Sequence, residues 1–97
     1  MTAVDVTCRV APTDGWSCTV TVEGPGGERT VHEVRVRTAD LARLDPGAAD
    51  PAALVEASFA FLLEREPPSS ILRAFDLPVI GRYFPDYEAA IRRGRAR

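Results

Sequence analysis

The chain reads as an α+β protein: a three-stranded antiparallel meander packed on one main helix, followed by short C-terminal helices. Three observations predict this. Apolar residues recur at every second position up to about residue 38, the mark of half-buried strands. Beyond that point they recur at helical spacing. The connections in the first part are short and rich in Pro and Gly, which suits antiparallel neighbours. With 97 residues one domain is expected, with room for a single modest core. Within it, residues 1–38 form the meander, 39–91 the helical half and 92–97 a basic tail expected to be flexible.

In the first strand Val4, Val6, Cys8 and Val10 alternate with Asp5, Thr7 and Arg9. In the second, Trp16, Cys18, Val20 and Val22 alternate with polar residues. In the third, His32, Val34 and Val36 do so, and Val31 points outward unless a bulge re-aims it. All inward residues of the first hairpin have even numbers, so paired positions must sum to an even number. A sum of 26 sets Cys8 opposite Cys18; a sum of 28 sets Cys8 opposite Val20. The pattern leaves both registers open.

Thr38 is placed to cap a short helical turn, Ala39–Leu44. Asp50 followed by Pro51 reads as an N-cap with proline at the first helical position. The main helix is therefore expected over Pro51–Arg65, stopped by Pro67-Pro68. At about 100° per residue, Leu54, Val55, Ser58, Phe59, Phe61, Leu62 and Leu63 span roughly 200° of its surface. A stripe that wide needs cover from two directions: the sheet and the C-terminal segment. In that segment Ser69 or Ser70 starts a short helix through Phe75. Asp76-Leu77-Pro78 starts a second, through about Phe84, and Pro85-Asp86 a third, through about Arg92. Six of the seven aromatic residues lie at or after Phe59.

The run Ser58-Phe59-Ala60-Phe61-Leu62-Leu63-Glu64-Arg65-Glu66-Pro67 continues with Ser70-Ile71-Leu72 and Phe75-Asp76-Leu77. Val79-Ile80 and Arg82-Tyr83-Phe84-Pro85-Asp86-Tyr87-Glu88 follow. This segment resembles a group of short, uncharacterised bacterial proteins, over about a third of the chain. The resemblance implies no activity and no site residues.

Composition excludes several function classes. Apolar residues are 45% and charged residues 27%, an ordinary globular mix. The net charge of −2 excludes a uniformly basic nucleic-acid coat. All 12 basic residues are arginine, and they are unevenly placed. Residues 1–91 hold 8 arginines and 14 acids, net −6; residues 92–97 hold 4 arginines and no acid, net +4. The N-terminus lacks the pattern of a signal peptide and no apolar run suits a membrane span, so a cytoplasmic protein is expected.

No constellation of catalytic residues stands out, and no metal or cofactor is expected. Gly24-Pro25-Gly26-Gly27 lacks the spacing and lysine of a phosphate loop and reads as a hairpin turn. His32, the one histidine, faces inward. It is expected to be a hydrogen-bonded core residue; the enzyme alternative would use it as a general base or metal ligand. Cys8 and Cys18 share a face and are expected to be free, small core residues; the alternative is a cross-strand redox disulfide. Asp45, Asp50, Asp76 and Asp86 read as helix caps. Arg65, Arg73 and Arg82 read as structural bridges to Asp76, Asp86 or exposed carbonyls at helix ends, with their stems packed on aromatics; the competing reading is an anion or partner-carboxylate site.

The expected function is that of a small non-enzymatic interaction protein, binding a protein partner or itself. Arg73, Arg82, Tyr83 and Tyr87 are its candidate contact residues, with the two tyrosines one helical turn apart. The alternative is a nucleic-acid or anion binder using Arg35 and Arg37 at the sheet edge and Arg92, Arg93, Arg95 and Arg97 in the tail.

Overall fold

The computed structural model describes residues 2–95; the tail residue Arg97 lies outside the described residues. Three long strands form where the alternation predicts them: β1 (Ala3–Val10), β2 (Trp16–Glu23) and β3 (Arg29–Val36). They are antiparallel neighbours. β1 pairs with β2 at a sum of 26, so Val10 faces Trp16, Cys8 faces Cys18 and Val6 faces Val20. The five-residue loop closes with the Ala11 N–H donating to the Gly15 carbonyl at 2.8 Å. Gly15 sits at φ 74°, and a Cβ there would collide with the Val36 carbonyl. That position is confined to glycine by both backbone angle and space.

A fourth strand, β4 (Ala74–Asp76), corrects the three-stranded expectation. It runs parallel to β3, with Val34 opposite Phe75, and the sheet order is β1-β2-β3-β4. The helix expected from Ser69 or Ser70 through Phe75 is instead a 3-10 turn at Pro68–Ser70 followed by this strand. The reason lies in β3. Its even-numbered residues exchange hydrogen bonds with β2, as the adjoining Gly24–Glu28 bond shows. Its odd-numbered N–H and C=O groups therefore point the other way and need partners. The Glu33 N–H finds the Arg73 carbonyl at 2.7 Å.

Four helices are described: α1 (Thr38–Leu44), α2 (Ala52–Leu63), α3 (Ile80–Tyr83) and α4 (Tyr87–Arg95). In α1 the cap falls one residue earlier than expected. Asp40 accepts the Arg37 N–H at 3.1 Å, and the Thr38 hydroxyl donates to Asp14 across to the first hairpin loop. A second 3-10 turn, Leu77–Val79, leads into α3. α4 runs to Arg95, so residues 92–95 of the expected flexible tail are helical.

The core lies between the inner sheet face and the helices. α2 buries Leu54, Val55, Ser58, Phe59, Phe61 and Leu62, the wide stripe expected of it, and exposes Ala53, Glu56, Ala60 and Glu64. Cover comes from two sides. Phe59 packs between His32 at 5.3 Å and Phe75 at 6.2 Å, on the sheet side. Phe61 meets Phe84 at 5.9 Å and Tyr87 at 5.3 Å, on the side of the C-terminal helices. The Arg65 guanidinium lies 3.5 Å above the Phe61 ring and reaches Asp86 at 3.5 Å. Arg65 thus bridges as expected, with the added stacking that a planar cation allows.

Candidate protein-binding cleft

The apolar load of the C-terminal segment leaves a cleft open beside α3. Leu62 at the end of α2, Ile71 and Leu72 after the first 3-10 turn, Phe75 of β4, and Val79, Tyr83 and Phe84 around α3 enclose about 130 Å³. Glu66 and Ser70 are its polar wall. The cleft forms because the chain changes direction repeatedly. Pro67-Pro68 follow α2, Pro78 follows β4 and Pro85 follows α3, each breaking the regular structure before it, so the side chains converge without filling the space between them.

Among the described residues four large hydrophobic ones are exposed, and two of them, Leu72 and Tyr83, line this cleft. Tyr83 is 66% exposed. A neighbouring polar cleft shares Val79 and is lined by Arg37, Asp40, Asp76 and Arg82. Among the described residues, the Arg37 and Arg82 guanidiniums have no hydrogen-bond or ion-pair partner. The apolar cleft is thus bordered through Val79 by two uncommitted cations.

Of the four expected contact residues, the structure separates Tyr87 from the rest. It is fully buried, and its hydroxyl lies 2.7 Å from that of Ser58. The Ser58 hydroxyl donates to the Leu54 carbonyl at 2.8 Å, so the Tyr87 hydroxyl is the donor between the two. Burial pushes the Tyr87 phenol up to about 12. Tyr87 is a core residue and offers no surface to a partner. Arg73 is exposed; its carbonyl serves the sheet, and its side chain has no partner among the described residues. Unlike Arg65, Arg73 and Arg82 do not bridge Asp76 or Asp86.

The six arginines of the nucleic-acid alternative are not equivalent. Arg35 approaches Asp76 at 3.9 Å. Arg95 donates to Asp45 at 3.2 Å and is mostly buried there. Asp45 corrects an expectation of its own. It ends α1 rather than capping the start of a helix, and its side chain is 1% exposed. A buried carboxylate needs a cation, and the tail supplies it. Its Oδ1 has no hydrogen-bond partner. Arg37, Arg92 and Arg93 are exposed.

His32 is fully buried. Its Nδ1 lies 2.7 Å from the Leu72 carbonyl, which only accepts, so Nδ1 carries the proton. Its Nε2 lies 2.9 Å from the Thr30 hydroxyl, which donates to it in the neutral ring. A hydroxyl, an imidazole and a fixed tautomer are the parts of a nucleophile and its base. However, Thr30 is 7% exposed and neither residue lines the apolar cleft or its polar neighbour. The pair ties β3 to the segment before β4. No cluster of His, Cys, Asp or Glu able to hold a metal occurs among the described residues.

Cys8 and Cys18 correct the expectation of free thiols: they form a disulfide. The sum-26 register sets them opposite each other at a position without mutual backbone hydrogen bonds, where the Cα atoms approach to 4.0 Å. Disulfides persist mainly in oxidising compartments. No helix among the described residues is long and apolar enough to cross a membrane.

The outer sheet face carries a polar network rather than a binding platform. Arg9 reaches Thr19 at 3.1 Å and Glu33 at 3.2 Å, and the Thr19 hydroxyl donates to Glu33 at 2.6 Å. The Thr19 bond, with Arg9 beside it, holds the Glu33 carboxyl below its usual range. Compared with known proteins, the chain matches no family model, no curated protein and no solved structure.

Proposed function

We propose that this chain is a small non-enzymatic interaction protein that seats an apolar side chain of a protein partner in the cleft beside α3. The observation that carries the reading is the cleft itself, with Leu72 and Tyr83 exposed on its rim while seventeen hydrophobic residues among those described, several of them walls of the same cleft, are buried. Exposed apolar surface grouped around a concavity is the usual form of a protein-recognition site. A tyrosine on the rim, with an arginine in the adjoining polar cleft, offers the residue types that most often dominate such contacts. The uncommitted Arg82 and Arg37 favour a carboxylate next to the apolar anchor in the partner segment. The walls come from the segment that carries the resemblance described above.

Peptides pairing Leu, Phe or Met with a neighbouring Asp or Glu are the probe. Amide NMR spectra of the full chain are followed during titration. Saturable shifts are expected at Leu72, Phe75, Val79 and Tyr83. Leu72→Glu and Tyr83→Ala are expected to abolish them with the rest of the spectrum unchanged. Saturable binding by none of the peptides, or binding insensitive to both substitutions, sinks the reading.

A further inference from the structure

We propose that β1 is a pairing edge whose partner is β1 of a second copy of this chain, antiparallel to it about a twofold axis at Thr7. The backbone gives the first reason. The Ala11–Gly15 bond sets the phase of the first hairpin: odd-numbered residues of β1 exchange hydrogen bonds with β2. The N–H and C=O groups of Val4, Val6, Cys8 and Val10 therefore point away from the sheet. Among the described residues no backbone group of this row has a hydrogen-bond partner.

The second reason is that this edge carries few of the usual guards. Natural edge strands are kept single by brevity, proline, lysine, bulges or inward-pointing charge. β1 has eight residues, AVDVTCRV, with no proline and no lysine. Its register with β2 is unbroken from Ala3 to Val10, so it has no bulge. Its two charges, on Asp5 and Arg9, lie on the outer face.

The third reason is that those charges are self-complementary in one register only. Edge-facing residues must pair with edge-facing residues, so the sum of paired numbers across the axis is even. A sum of 14 uses all four of them: Val4 with Val10 and Val6 with Cys8, each twice. It then sets Asp5 opposite Arg9 of the second copy twice, where Arg9, already 3.2 Å from Glu33 of its own chain, is shared between two carboxylates, and Thr7 opposite Thr7. These odd pairs fall at the closely spaced positions, where opposite charges attract most and like charges repel most. A slip of two residues leaves Asp5 opposite Thr7 or Ala11, with no charge to meet. Asp5 has no ion-pair partner among the described residues. Val10, 79% exposed, gains Val4 of the second copy on the inner face. The product is a continuous sheet with β1 at its centre. A strand-edge contact buries little area, so the dimer is weak and concentration-dependent.

Sedimentation equilibrium of the oxidised full chain from about 5 to about 500 µM is the first test. A reversible monomer–dimer equilibrium is expected; a strict monomer throughout overturns the proposal. The second test addresses the register. Asp5→Arg and Arg9→Asp, each checked for an intact fold by its thermal midpoint, are each expected to weaken the dimer about tenfold or more. An equimolar mixture of the two is expected to restore it, because each charge then faces its opposite. Wild-type dimerisation by both single variants overturns the register. Amide exchange is read in parallel at Val4, Val6, Cys8 and Val10. It is expected to slow as concentration rises, and exchange independent of concentration overturns the edge contact itself. Peptide binding at the α3 cleft involves none of these residues, so the two readings fail separately.

Discussion

The sheet has two edges, and they are finished by different means. β4 is three residues long, parallel to its neighbour and followed at once by a 3-10 turn. Phe75 lies under Phe59, and the Leu72 carbonyl beside it is tied to His32. β1 is eight residues long, its inner residues Val4, Val6 and Cys8 only half-buried, its backbone row free, and a disulfide holds it to β2. One edge is held by aromatic side chains from distant parts of the chain, the other by a covalent link to its nearest neighbour. Large residues late in the sequence can close only the side they reach. The valine-rich N-terminal side must rely on pairing and on the disulfide.

Four measurements test this contrast. The largest effect is expected from Phe59→Ala, which removes the ring between His32 and Phe75. A loss of about 3–5 kcal/mol in urea unfolding is expected, as for other buried Phe truncations. A loss below about 1 kcal/mol would mean that Phe59 does not close the β4 edge. Next is replacement of both Cys8 and Cys18 by Ala, which opens a loop spanning 10 positions. About 2–3 kcal/mol is expected from loop closure. Amide exchange should rise first along β1 and leave the β3–β4 bonds protected; uniform loosening would show that the disulfide supports the whole sheet.

Third is the alkaline limit set by Tyr87. Its folded-state phenol is raised to about 12, above the ordinary value of 10. Its contribution is therefore fully present below about pH 10 and is lost as pH rises through about 12. A fall of about 2 kcal/mol over that window is expected, seen by comparing denaturation at pH 9 with steps upward. Tyr87→Phe should flatten this part of the profile, and an unchanged slope would remove Tyr87 as its source. The smallest effect is expected from Tyr83→Ala. Its ring is mostly exposed, so stability should change by no more than about 0.5 kcal/mol. A large loss would make Tyr83 part of the core rather than the rim of a cleft.

Much of the meander was legible because alternation survives wherever one face is buried and the other wet. Even Val31, out of phase, is exposed on the outer face as parity requires. The stripe on α2 was legible for the same reason at helical period. β4 was not. Three residues carry no alternation, and Ile71, Leu72 and Phe75 suit a helix equally well. The feature that makes Ala74–Asp76 a strand is the unfilled row of β3 groups, 41 positions earlier for Glu33 and Ala74. Tyr83 and Tyr87 misled through their spacing, since four residues apart means one face only on an unbroken helix. The chain turns at Phe84–Asp86, so one tyrosine ends α3 exposed and the other begins α4 buried. The cleft was illegible because its walls come from several elements whose mutual angles no local pattern records. Arg95 looked like solvated charge because its counter-ion, Asp45, lies 50 positions away.

The same separations have a consequence in chain entropy. Strand pairs in the meander join residues at most 20 positions apart, so the loops that must close are short. The β3–β4 pairs and the Asp45–Arg95 contact close loops two or more times longer, and each doubling of loop length adds about 0.6 kcal/mol to the cost of closure. The short last strand and the last helical turn are therefore the contacts for which the chain gives up most freedom.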